Sequence, residues 1–117
     1  MKVIFNVAGD ILVAELFGEL DHHGAGTVRK DIDDEISRFN TKNLIFDFAK
    51  VTFMDSSGIG VVLGRYRKLT EKGGHVAIAG CSKTVKNILN MAGIFSLISY
   101  ADTKEEAIKL FLRKEVS

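Results

Sequence analysis

The chain has 117 residues, enough for one domain spanning 1–117 and too few for two. Hydrophobic residues make up 46% of it, which supports a packed core, and the 16 basic and 15 acidic residues leave a net charge of +1 that gives no pull toward nucleic acid or an anionic membrane. The single cysteine, Cys81, excludes an internal disulfide and a four-cysteine zinc site; no apolar run approaches the roughly 20 residues that insert across a bilayer.

The amino-terminal apolar stretch is broken too soon for a signal peptide, so a soluble, cytoplasmic protein is expected. Val3 to Val7 and Ile11 to Phe17 read as two strands joined by the turn Ala8-Gly9-Asp10, an antiparallel hairpin. The period then changes. Val28, Ile32, Ile36 and Phe39 recur at helical spacing. Asp21, just ahead, either caps this helix or lies in the loop before it.

Leu44 to Phe48 is a continuous apolar strand of the kind covered on both faces. Val51 to Met54 leads into Asp55-Ser56-Ser57-Gly58. A second helix follows, with Ile59, Val62, Leu63, Tyr66 and Leu69 on one face and Gly73-Gly74 as its stop. Val76 to Ala79 is another buried-type strand. Ser82 to Met91 reads as a helix with Val85, Ile88 and Leu89 inward and Gly93 at its carboxyl cap. Phe95 to Tyr100 is a candidate last strand. Thr103-Lys104-Glu105-Glu106 is a capping-box signature, and Ile108, Phe111 and Leu112 give the final helix its apolar face.

This alternation predicts an α/β fold: a mixed, mostly parallel sheet with right-handed crossovers, about four α-helices and the first strand antiparallel at an edge. Sites in such folds lie beyond the carboxyl ends of the strands. Two of those ends are unusually polar, Glu19 to His23 and Asp55 to Gly60. If their strands are neighbours, Asp21 and Ser57 lie close together.

Enzyme motifs match poorly. Gly58-Ile59-Gly60 opens a helix as a dinucleotide fingerprint does, but position 63 is Leu63 where the third glycine is required. A nucleophile elbow about Ser57 needs glycine at 55 and 59, which are Asp55 and Ile59. Gly80 to Thr84 resembles the end of a phosphate loop, but His75 stands where its first glycine belongs. His22 and His23 diverge on any regular backbone and lack a third ligand. A Ser57, His22, Asp55 relay remains an alternative, and Asp-Ser-Ser-Gly is otherwise an ordinary helix cap. Cys81 reads as a small apolar residue near a strand end, with a redox-sensitive thiol as the alternative.

Two segments change the weights: Gly18-Glu19-Leu20-Asp21-His22-His23, and Phe53 through Lys68 with its Asp55-Ser56-Ser57-Gly58 and Gly64-Arg65-Tyr66. Both resemble the signatures of anti-sigma factor antagonists of the STAS family, and Val85-Lys86 and Met91 to Phe95 continue the pattern. The Asp-His-His loop and Gly-Arg-Tyr are similar to the sporulation branch. Thr84 departs from it, since relatives often carry proline there.

The resemblance implies a single-domain STAS-like fold and a non-enzymatic switch with no cofactor. Such a protein binds an anti-sigma factor that is also a serine kinase, SpoIIAB-like, and releases the sporulation sigma factor F. The kinase, using ATP, phosphorylates the position of Ser57, and a membrane-tethered, SpoIIE-like serine phosphatase resets it. The partner surface is then expected on Asp21, His22, His23, Asp55, Ser56, Gly58, Ile59 and Gly60. Glycines 58 and 60 are expected to leave the backbone open to a partner. A different partner is the alternative, as in stress antagonists or a transporter's cytosolic piece.

Overall fold

The computed structural model describes residues 1–116. In chain order its elements are β1 (Lys2–Ala8), β2 (Ile11–Leu20), α1 (Ala25–Phe39), β3 (Asn43–Met54), α2 (Ser56–Thr70), β4 (His75–Ala79), α3 (Lys83–Met91), a 3-10 turn (Ile94–Ser96), β5 (Ser99–Ala101) and α4 (Lys104–Leu112). The strands form one sheet in the order β1-β2-β3-β4-β5. β1 pairs antiparallel with β2, and every later pair is parallel, as the alternation requires.

The period-2 alternation of the strands divides the core in two. Leu12, Ala14, Leu16, Leu44, Phe46, Phe48, Val76 and Ile78 face α1, α2 and α3. Ile11, Val13, Ile45, Ala77 and Ala79 face the other way, against Ala107 of α4. The central strands therefore read as unbroken apolar runs. Asn43 is the buried polar exception. Its side chain donates to Asp10 Oδ2 at 3.1 Å and accepts from the His75 amide at 3.2 Å, tying together the starts of β2, β3 and β4.

Several expectations are corrected. Leu44–Phe48 and Val51–Met54 belong to one twelve-residue strand, continuous through Ala49-Lys50. The register against β2 shifts twice, between Glu15 and Phe17 and between Gly18 and Glu19. Phe95 to Tyr100 is not one strand: the backbone first makes the 3-10 turn, and β5 holds only three residues. Phe39 is 46% exposed and Leu112 is 75% exposed; each lies in the last turn of its helix.

The helix ends follow local chemistry. Ser82 accepts from the Val85 amide at 3.3 Å and Thr103 from the Glu106 amide at 3.1 Å. Thr84 leaves the start of α3 intact. Gly93 follows α3 at φ +76°, the left-handed cap conformation. Among the described residues, no helix is long and apolar enough to cross a membrane.

Candidate functional site

β2 and β3 are parallel neighbours, and their last residues, Leu20 and Met54, are register partners. The two polar strand ends are therefore side by side. The Asp55 amide donates to the Leu20 carbonyl at 3.4 Å, and both segments then turn away into helices.

Asp55 links the two loops. One carboxylate oxygen accepts from the Ser57 amide at 2.8 Å, which makes Asp55 the N-cap of α2. The other accepts from the His22 amide at 3.1 Å. Partial burial pushes the Asp55 carboxyl up, but the amides of Ser57, His22 and Gly58 outweigh it, with help from the nearby His22 ring. The group is held below its ordinary 3.8.

Asp21 organises the adjoining turn. Its carboxylate accepts from the amides of His23 at 3.0 Å and Gly24 at 3.2 Å, and its carbonyl accepts from the Ala25 amide at 2.9 Å. Asp21 thus shapes the loop, while the N-cap of α1 is Gly24 and makes no side-chain cap. His22 and His23 are exposed, with ring centroids 5.7 Å apart.

Ser56 is exposed and Ser57 is half-buried, at the first and second positions of α2. The cap uses the Ser57 amide, leaving its hydroxyl outside the capping bond. Gly60 is exposed, and a Cβ there would meet nothing within 4 Å. Ile59 is half-buried against the core. Gly58, expected to leave the backbone open, is closed in. It is buried, and a Cβ there would lie 2.5 Å from Met54 Cγ and 2.7 Å from the Leu20 carbonyl oxygen. Its missing side chain lets α2 close onto the ends of β2 and β3.

A Ser-His-Asp relay requires the carboxylate to orient the imidazole. Both Asp55 oxygens are instead occupied by backbone amides, and among the described residues no hydrogen bond joins the His22 ring to Ser57. The same residues contain no cluster of three or more His, Cys, Asp or Glu side chains placed to hold a metal ion. Cys81 is half-buried against the core, and burial pushes its thiol up to about 12.

The periodicity reading missed Arg65. It is 7% exposed, on the inward row of α2 with Val61, Val62 and Leu69. Its Nε lies 3.0 Å from Asp33 Oδ1 on α1, and Lys68 approaches the same oxygen at 3.6 Å. Burial pulls the guanidinium below its ordinary value, Asp33 opposes this, and Arg29 adds to the fall. The position was available in the sequence, since residue 65 falls four residues before Leu69 and four after Val61.

With this geometry in place, comparison with known proteins identifies the class. The STAS domain model matches residues 2–107, and the chain belongs to that family. Within it, the chain is similar to the anti-sigma F factor antagonist of Paenibacillus polymyxa. The two are 37% identical over 98 residues, 84% of each chain. Two solved structures show the same likeness. The anti-sigma factor antagonist SpoIIAA in its unphosphorylated form is 34% identical, with a TM-score of 0.73 over 92% of this chain and 96% of the other. The Bacillus cell fate determinant SpoIIAA in its phosphorylated form is 35% identical, with a TM-score of 0.72 over 92% and 97%.

Proposed function

We propose that this chain is an anti-sigma factor antagonist switched by phosphorylation of Ser57. In its unphosphorylated form it binds an anti-sigma factor serine kinase, SpoIIAB-like, in the cytoplasm and so releases the sporulation sigma factor F. The kinase transfers phosphate from ATP to the Ser57 hydroxyl, and a SpoIIE-like serine phosphatase removes it. Asp21, His22, His23, Ser56, Ile59 and Gly60 form the partner surface around that serine, with Asp55 holding its two loops together.

The observation that carries this reading is the presentation of Ser57. It stands at the amino end of a fifteen-residue helix with its hydroxyl outside the cap, joined through Asp55 to the Asp-His-His loop. The helix dipole favours a phosphate there. Further support comes from the two SpoIIAA forms, which match this chain with nearly equal TM-scores of 0.73 and 0.72. A switch of this kind acts at the interface without refolding the domain. Weakening binding 100-fold takes only about 2.7 kcal/mol, within the reach of one disrupted hot spot.

The test is incubation with a candidate kinase and ATP, followed by mass spectrometry of the modified residue. Phosphate on Ser57, absent in Ser57→Ala, is the expected result. Ser57→Ala retains the Asp55 cap and is expected to change stability by no more than about 0.5 kcal/mol. Phosphate on Ser56 would reject the assignment. Labelling of Ser57 by a serine-directed probe without any kinase would indicate an enzyme instead.

A further inference from the structure

We propose that phosphorylated Ser57 turns its phosphate into the groove between α1 and α2, where Arg29 clasps it. This rests on the reading of Ser57 as the modified residue and adds where the phosphate goes. The groove is lined by Ser57, Gly60 and Val61 of α2, by Gly26 and Arg29 of α1, and by His22. A Cβ at Gly26 or at Gly60 would meet nothing within 4 Å, so both walls leave room.

The charges favour an anion. His22 and Arg29 are the ionisable side chains on the groove, and no carboxylate lines it. Of the carboxylates in the two loops, Asp55 accepts from the amides of His22 and Ser57 and Asp21 from those of His23 and Gly24; both keep their charge, but neither lines the groove or pairs with Arg29. Glu19 lines a separate hollow with Met1 and His23. Further along the same helices, Asp33 serves both Arg65 and Lys68. Arg29 therefore makes no ion pair among the described residues, and its charge reaches Arg65 unfavourably.

A phosphate adds about −1.5 to −2 charges and three acceptor oxygens. The guanidinium fork matches such oxygens two at a time. Clasped by Arg29, the phosphate would fill the groove beside Gly60, and a phosphatase would have to draw it out before cleaving it.

The test uses the full chain with phosphoserine installed at position 57 during translation, so its result does not depend on any kinase. Failure of the phosphorylation assignment shows separately, in the kinase mapping above. The phosphorylated parent is compared with phosphorylated Arg29→Gln and with Arg38→Gln, a charge control on the same helix. Phosphorus NMR titration reads the second ionisation of the phosphate, which lies near about 6 when exposed. The parent is expected about 1 unit lower than Arg29→Gln, with Arg38→Gln like the parent. The Arg29 side-chain NMR signal is expected to shift when position 57 is phosphorylated. An unchanged phosphate titration in Arg29→Gln would overturn the clasp. So would an Arg29→Gln variant that loses affinity for the kinase in its unphosphorylated form while its phosphate titrates as in the parent, which would make Arg29 a partner contact.

Discussion

Arg65 of α2 and Asp33 of α1 are held 3.0 Å apart, a charged contact across the two helices that Lys68 of α2 joins at 3.6 Å. Removing the carboxylate leaves a buried cation without its closest counter-charge. Asp33→Ala is expected to lose about 3 kcal/mol in urea unfolding. The double variant Asp33→Leu Arg65→Met is expected to recover most of that loss, because it removes the buried charge as well. If the double variant is no more stable than the single one, the pair does not act in this way.

Gly58 and Gly60 sit two residues apart on α2, yet they are expected to respond in opposite directions to alanine. The Gly58→Ala methyl meets the Leu20 carbonyl and the Met54 side chain, and the variant is expected to lose about 1–3 kcal/mol. The Gly60→Ala methyl points into open space, and helix propensity alone predicts a gain of up to about 1 kcal/mol. Thermal melting of the two proteins checks both signs. Affinity of Gly60→Ala for a candidate kinase then tests the proposed partner surface at unimpaired stability.

Acid sensitivity should trace in part to Asp55. Its carboxyl is held below the ordinary 3.8, so the folded state binds its proton less readily than the unfolded chain does. Ionised Asp55 therefore contributes stability above the unfolded value, and that contribution disappears as pH falls through the folded value. Asp55→Asn preserves an N-cap acceptor while removing the charge. Its stability deficit against the parent is expected to be largest near neutral pH and to vanish in strong acid. A deficit independent of pH in denaturant titrations would assign the effect to geometry alone.

Cys81 should be inert. A thiol pushed up to about 12 carries almost no thiolate at neutral pH, and the thiolate is the reactive form. Alkylation by iodoacetamide is expected to be at least about 10-fold slower in the folded protein than in urea. Equal rates would support the redox-sensitive alternative.

The strand and helix order was legible because each element carries its own period, and the two-sided burial of β3 and β4 was legible in their unbroken apolar runs. Their limits were less so. Phe39 and Leu112 keep helical spacing but stand exposed in the last turns of their helices, and spacing alone does not say how much of a helix end is covered. The candidate strand Phe95 to Tyr100 begins inside the turn at Ile94–Ser96 and only its last two residues join β5; apolar Phe95, Leu97 and the buried Ile98 imitated a strand without pairing as one. At the site, the proximity of the two loops followed from strand adjacency. The burial of Gly58 did not, because only the packed ends of β2 and β3 create the contact that excludes a side chain. Arg65 was hidden by its residue type: a cation on an inward row reads as an interruption until its counter-charge on another helix is known.

β3 pairs with β4 only from Asn43 to Asp47, while its partnership with β2 continues to Met54. Ser57 thus crowns a promontory that rises past β4. The carboxyl-terminal segment lies at the opposite pole: Leu112, Lys114 and Val116 gather around Asp10, Ile11, Asn43 and His75, where β2, β3 and β4 begin. A fluorophore attached at Lys114 would hang from the base of the molecule. The docking proposed at the summit could then be tested in real time without the reporter standing in the way.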